Sequence, residues 1–296
     1  MVNNAPAYAF TVIIPTYNRA ANLKRCLQSL AQQTFKAFEV IVCDDGSTDD
    51  TQAVFESYKD ALNIRYFYEE NWGGPARPRN IGINNTTTEW VFFVDSDDSF
   101  TENKIAFFAD MDLGNYDLLY HDLSIIKDGN IVNRVKSRQL KADAYHDMLY
   151  NLNAIPTSAV LVRTALLKDV NGFSEDRALI AVEDFDLWIR LCENRNIRTK
   201  YIPEVLGYYS LGDDNITSTD SKQIERFKAL YEPYIAKAKS KGEPDRIRGA
   251  FSYQVGRIYA LSADKALAKA HFFKALRMGS PLIKLKSIYG ILRNIK

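Results

Sequence analysis

Short apolar runs closed by polar or acidic residues set the pattern of the first hundred positions. Phe10-Thr-Val-Ile-Ile14 predicts a buried strand stopped by Pro15, and Leu23, Cys26, Leu27 and Leu30 then recur at helical spacing. Phe38 to Cys43 predicts a second strand, followed by a helix running to about Lys59. Ile64 to Tyr68 alternates as a third strand, and a short helix ends near Asn85. Trp90-Val-Phe-Phe-Val94 reads as a strand buried on both faces. Strands alternating with helices of this length indicate βαβ units and a mainly parallel sheet. Right-handed crossovers place the loops after these strands on one edge of it.

Beyond Asp98 the pattern changes. Lys104 to Leu113 is helical, and Asp117–Ile126 and Ile131–Val135 predict a hairpin through Asp128-Gly129. Ser158 to Arg163 is a short strand, and Gly172-Phe173 a turn. A helix opens at Glu183 with Phe185, Trp188, Ile189 and Cys192 on its inner face. Strand-like Tyr201-Ile202 and Val205 to Tyr209 lead into a polar loop, Gly212 to Asp220. From Ser221 the chain reads as all-helical. Gly256, Tyr259, Ala268, Phe272 and Ala275 fall at the spacing of one tetratricopeptide-type hairpin, with Pro281 one residue beyond the usual proline. The expected division is 1–219 for an α/β domain and 220–296 for a helical region.

The composition, 46% hydrophobic and 25% charged over 296 residues, is that of an ordinary globular chain. A net charge of +1 gives no overall field for nucleic acid, so no nucleic-acid partner is expected. Cys26, Cys43 and Cys192 show no disulfide or metal spacing, which favours a reducing, cytoplasmic setting. Met1 to Tyr8 lacks the pattern of a signal peptide, and no apolar run approaches the ~18 residues of a membrane span.

Chemistry concentrates where the strands end. Asp95, Asp97 and Asp98 close the Trp90 strand, and three acids there are tolerable if a cation with oxygen ligands sits among them. An N-cap and polar loop explains two acids more easily than three. Asp44-Asp45-Gly46-Ser47-Thr48-Asp49 makes a turn and helix start, which covers Ser47 to Asp49 but leaves Asp44 and Asp45 on the same edge as Asp95. A carboxylate there suits a nucleobase imide or a ribose hydroxyl. After the first strand, Tyr17 offers a stacking face and Arg19 a phosphate donor. In Gly73-Gly-Pro-Ala-Arg-Pro-Arg-Asn80 the glycines admit a ligand, the prolines restrict the loop, and Arg77 and Arg79 suit a diphosphate. Glu183-Asp184 is either a commonplace acidic helix start or a general base for an acceptor hydroxyl.

Taken together, Pro15-Thr-Tyr-Asn-Arg19, Asp44 to Asp49, the 73–80 loop, Asp95-Ser-Asp-Asp98 and Glu183-Asp184 resemble, in order and spacing, the motifs of the family 2 glycosyltransferases. The resemblance covers about residues 9 to 215. It implies the GT-A fold: an α/β, Rossmann-like mixed sheet flanked by helices, here with a C-terminal all-helical extension. It implies inverting transfer of a sugar from a nucleoside-diphosphate donor, with UDP the usual nucleotide. Nucleotide-sugar contacts would then come from Pro15, Tyr17, Arg19, Asp44, Asp45, Arg77, Arg79, Asn80, Asp95 and Ser96. Asp97 would lead coordination of Mn2+ or Mg2+, with Asp95 and Asp98, and Asp184 would be the base, supported by Glu183. One departure stands out. Many family members carry Tyr-Arg-x-His before an Asn-x-Ser segment, whereas this chain reads Tyr209-Ser210-Leu211-Gly212 before Asn215-Ile216-Thr217. Asp213 or Asp214 is the candidate replacement for the absent His.

The implied acceptor is a glycan or lipid-linked glycan of a bacterial surface polysaccharide. A glycosyltransferase-like assembly module that has lost its chemistry is the alternative, and a nucleotidyltransferase ranks last because the loop after strand one is not glycine-rich and basic. Arg277 to Lys296 holds five Lys or Arg and no acid. That leaves two readings for the last helix, Leu282 to Ile295: peripheral contact with anionic lipid at the inner face of the cell membrane, or a solvated face packing on the protein. The helical tail is also the expected site of any homo-oligomer or partner contact.

Overall fold

The computed structural model describes residues 9–194, 196–212 and 221–293. In chain order its elements are β1 (Phe10–Thr16), α1 (Ala20–Ala31), β2 (Phe38–Asp44), α2 (Thr51–Glu56), β3 (Ile64–Tyr68), α3 (Ala76–Asn85), β4 (Trp90–Phe93), β5 (Ser99–Phe100) and α4 (Lys104–Ala109). They continue with β6 (Leu118–Lys127), β7 (Asn130–Val135), α5 (Ala144–Asn151), β8 (Val160–Arg163), α6 (Thr164–Asp169), α7 (Glu183–Glu193) and β9 (Thr199–Ser210). Four helices follow: α8 (Ser221–Lys237), α9 (Glu243–Leu261), α10 (Lys265–Met278) and α11 (Pro281–Arg293).

These elements form two compact units that interleave along the chain. The first holds every strand, in one mixed sheet of order β3-β2-β1-β4-β8-β6-β9-β5, with β7 paired to β6. Strands β1 to β4 run parallel, β8 runs antiparallel to both neighbours, and β6 and β9 are parallel. Every residue of β1, β2 and β4 is buried, as their largely apolar runs require, and the buried Thr11 donates to Glu39 at 2.7 Å. Under β4, Phe92 packs within 5.4, 5.9 and 5.3 Å of the Phe10, Phe100 and Phe108 rings.

The structure departs from the sequence pattern in particular places. Pro15 does not stop β1. Its missing N–H falls on the side of β4, whose pairing with β1 has already ended at Ile13–Phe93, so the proline removes no ladder bond. The Tyr201 and Val205 runs are one strand, β9, carried past Pro203 by a register shift against β6. Helix α2 is shorter than expected, and α5 and α6, of 8 and 6 residues, are too short to announce themselves by periodicity. The β6–β7 hairpin is as read, with Asp128 (φ 49°) and Gly129 (φ 76°) both left-handed.

Asp117, just before β6, accepts from the Arg198 amide at 2.9 Å and from its Nη2 at 2.7 Å. The Arg198 guanidinium holds this carboxyl below its usual range, although burial pushes it the other way. Its stabilisation is therefore complete above the unfolded carboxyl value of about 3.9 and is lost as pH falls through the lower folded one. Asp117→Asn is expected to lower the urea midpoint at pH 7, and the gap to the parent protein should close at about pH 2.

The second unit comprises α5, α7 and α8 to α11. Phe185, Trp188, Ile189 and Cys192 of α7 are buried, and Phe185 meets Tyr231 edge-on at 6.0 Å. Helices α9 and α10 pair antiparallel. Gly256 lies so close that a Cβ there would meet the Phe272 ring at 2.8 Å, and Tyr259 faces His271 at 5.6 Å. The three cysteines are free and buried. No described helix is long and apolar enough to cross a membrane.

Candidate functional site

Three parallel strands end together at one sheet edge, because the register pairs Thr16 with Asp44 and Ile13 with Phe93. The loops that leave them are laced to one another. Asn18, left-handed at φ 47°, donates its N–H to Ser47 Oγ at 2.8 Å and accepts from the Thr48 N–H at 2.7 Å. Asp49 accepts from the Ala20 N–H at 2.9 Å. Ser47 and Thr48 thus tie two loops together instead of capping α2, whose N-cap is Asp50.

Asp44 and Asp45 are both buried and hydrogen-bonded within the protein. Asp44 accepts from the Ser47 N–H at 2.8 Å and from the Tyr66 hydroxyl. Asp45 accepts from the Trp72 and Gly73 N–H groups at 2.8 and 3.0 Å, so it clamps the glycine-rich loop against the end of β2. Gly46 makes that approach sterically feasible: at φ +85° it is left-handed, and a Cβ would meet Asn71 N at 2.7 Å. Gly46→Ala is expected to destabilise the protein by more than about 1 kcal/mol, read from urea denaturation.

Asp95, Asp97 and Asp98 occupy a tight turn after β4, closed by the Asp98 N–H donating to the Asp95 carbonyl at 2.9 Å. Two of them meet an arginine. Arg79 Nη2 reaches Asp95 Oδ1 at 2.6 Å, and Arg19 Nη1 reaches Asp97 Oδ2 at 2.7 Å. Asp98 is buried in the field of Lys104, itself buried, with Nζ donating to the Ser158 carbonyl at 2.9 Å and lying 3.4 Å from the Phe100 ring centroid. Ser158 is the tie: its Oγ accepts from the Asp95 N–H at 3.1 Å and hydrogen-bonds Asp98. Asp98 also accepts from the Ser210 N–H at 3.0 Å.

Burial works against charge throughout this cluster. It raises the Asp97 carboxyl, aided by the Asp95 charge and opposed by Arg19. It pushes Asp98 well up, with Asp95 and Asp97 adding to it, and holds Lys104 well down against the attraction of Asp98. The Tyr209 phenol rises to about 12, through burial first and then the charges of the three carboxylates.

The other expected residues divide clearly. Tyr17 is exposed at the rim, while Pro15 and Ser96 are buried. On α3 Arg77 is exposed and Arg79 buried, stacked 5.0 Å from the Phe173 ring centroid, since two positions along a helix lie about 200° apart. Asn80 exchanges hydrogen bonds with the Phe173 backbone at 2.8 and 2.9 Å, so its amide fixes the Gly172-Phe173 turn.

The expected three-carboxylate metal set is not formed. Among the described residues no three His, Cys, Asp or Glu side chains are grouped to hold an ion, and Asp98 is committed to Ser158 and Ser210. The donor chemistry at the rim still fits a hard cation of the kind that takes one or two carboxylates and completes its shell with phosphate oxygens and water. Thr16 Oγ1, buried at the end of β1, has no hydrogen-bond partner among the described residues.

Glu183 and Asp184 belong to the second unit, in the first turn of α7, where the helix dipole favours carboxylates. Glu183 is buried and Asp184 half-buried. Asp184 Oδ1 accepts from the Phe185 N–H at 2.6 Å, and Oδ2 lies 3.4 Å from Asn153 Nδ2. Asp213, Asp214 and Asn215 to Thr217 lie outside the described residues. The pattern of the sequence missed Lys104, Ser158, Tyr66 and Tyr209. The only signal for any of them was Tyr209, the one residue kept from the family's Tyr-Arg-x-His.

The family described as Glycosyl transferase family 2 matches residues 11–166. The Escherichia coli UDP-Glc:alpha-D-GlcNAc-diphosphoundecaprenol beta-1,3-glucosyltransferase WfgD is 28% identical over 220 residues, 74% of this chain and 83% of that protein. The Staphylococcus aureus poly(ribitol-phosphate) beta-N-acetylglucosaminyltransferase TarS is 35% identical over 207 residues, 68% of this chain but only 35% of its own length. A crystal structure of TarS residues 1–349 in complex with UDP superimposes with a TM-score of 0.59 at 26% identity, covering 96% of this chain and 89% of that one.

Proposed function

The chain belongs to glycosyl transferase family 2 and is a glycosyltransferase, and from that premise we propose that it moves a sugar from a UDP-sugar, with inversion, to a hydroxyl of a lipid-linked or polymeric bacterial surface glycan. The observation that carries the reading is the strand-end rim, where Asp95 and Asp97 each hold an arginine beside a restricted, glycine-containing loop. The WfgD and TarS names, with a diphosphoundecaprenol glycan in one and a UDP complex in the other, support the acceptor class and the nucleotide.

In this reading Tyr17 stacks on the base, and Asp45 both holds the 71–73 loop and offers remaining lone pairs toward it. Arg19, paired with Asp97 in the free protein, turns to the diphosphate when the donor is bound. Asp97 and Asp95 are the residues that would hold Mn2+ or Mg2+. A bound divalent ion would neutralise the diphosphate as the sugar–phosphate bond breaks. Asp184 takes the acceptor hydroxyl proton while that oxygen attacks the anomeric carbon, and the nucleoside diphosphate leaves on the opposite face. Glu183 supports Asp184 from the same helical turn. Tyr209 and the Ser158–Lys104 pair keep the Asp95–Asp98 turn in place. Residues 1–219 carry transfer and 220–296 serve docking, with the protein acting in the cytoplasm.

The second reading, an assembly module without chemistry, is favoured by one observation: Ser210 and Gly212 stand where many relatives have Arg and His. A panel of nucleotide sugars with Mn2+ separates the two. Turnover of at least one UDP-sugar, by hydrolysis or transfer, supports the enzyme, and inertness toward all of them supports the module.

A further inference from the structure

Helix α11 carries Leu285, Ile288, Tyr289 and Leu292 at 65, 45, 66 and 61% exposure. At about 100° per residue these four fall within an arc of about 100°. The opposite side, with Ile283 and Ser287, is buried. The apolar stripe is therefore not the packing face of the helix; it points away from the unit that the helix belongs to. Lys284 and Arg293, both exposed, fall about 40° beyond the two margins of the stripe and border it on either side. From Arg277 to Lys296 the chain has five basic residues and no acid.

We propose that this face of α11 is a docking surface for an anionic phospholipid bilayer, on which the helix lies in the plane of the headgroups. Leu285, Ile288 and Leu292 enter the acyl boundary, and the amphipathic Tyr289 ring sits at headgroup depth. Lys284 and Arg293 remain level with the anionic headgroups. The flanking charge selects this occupant over a second copy. A two-fold pairing of the same helix sets Lys284 and Arg293 of one chain against the basic residues of the other, with no acid on the helix to offset them. The inference deepens the reading of a lipid-linked acceptor, because such a surface brings the enzyme to the phase that holds that acceptor.

Flotation of the full chain with phosphatidylcholine vesicles, with and without phosphatidylglycerol, tests it. The expected result is binding to the anionic vesicles at low salt and little to phosphatidylcholine alone. Leu285→Gln with Leu292→Gln should abolish it, and Lys284→Gln with Arg293→Gln should weaken it about 30-fold, about fivefold for each charge. All four side chains are exposed, and circular dichroism reports the fold. UDP affinity by calorimetry should match the parent in both variants, so loss of docking is distinguishable from failure of the donor site. Three results would overturn the proposal: vesicle binding that survives the leucine substitutions, equal binding to uncharged vesicles, or no vesicle binding. Self-association that the leucine substitutions abolish, with no vesicle binding, would assign the stripe to a second copy.

Discussion

Asp184→Asn is expected to lower kcat for transfer by about 10²- to 10⁴-fold, the usual worth of a positioned general base, while leaving UDP affinity unchanged. The shape of the side chain is kept. Asn can still accept from the Phe185 N–H, which holds Oδ1 at 2.6 Å, so the first turn of α7 should remain intact. What is lost is a group able to take a proton from the acceptor alcohol. Kinetics with saturating donor, alongside calorimetric donor binding, give the split. If kcat is unchanged, another group is the base. If the parent protein shows no turnover at all, the assembly-module reading gains.

Asp97→Ala is expected to act on a different quantity. It should cut kcat/KM by about 10²- to 10³-fold, as removal of one electrostatic stabiliser does, and with it the dependence of UDP binding on Mn2+. Its effect on stability should run the other way. Burial and the Asp95 charge raise the folded Asp97 carboxyl despite Arg19, so the ionised form is disfavoured in the free protein. A raised acid contributes stability below its unfolded value of about 3.9 and subtracts it at higher pH. The variant should therefore be at least as stable as the parent at pH 7 in urea. A large loss of stability would instead make Asp97 a structural anchor through Arg19.

The site was legible where chemistry and position coincide in one short stretch. Asp95 to Asp98 stand out because a fully apolar strand ends in three carboxylates, and the parallel register of β1, β2 and β4 then brings Asp44 and Asp45 to the same edge. What each acid does there was not legible. Asp45 is a clamp on the Trp72 and Gly73 amides, and Asp98 a buried anchor for Ser210, because these partners lie 27 to 112 positions away. Lys104 and Ser158 were invisible for the same reason: a lysine at a helix start and a serine before a strand look ordinary until the fold sets Nζ on the Ser158 carbonyl. The strands themselves were easier, since burial on both faces writes a mostly apolar run. Pro15 misled because its cost depends on whether a neighbour strand reaches it, and β4 does not.

The rim's capacity to hold a nucleoside diphosphate through a cation is tested most directly by isothermal titration of the full chain with UDP, with and without Mn2+. Saturable binding that needs the metal, and that falls at least tenfold in Asp97→Ala, is the predicted result. Absence of binding by UDP, GDP and TDP under both conditions, in a folded protein, would contradict it.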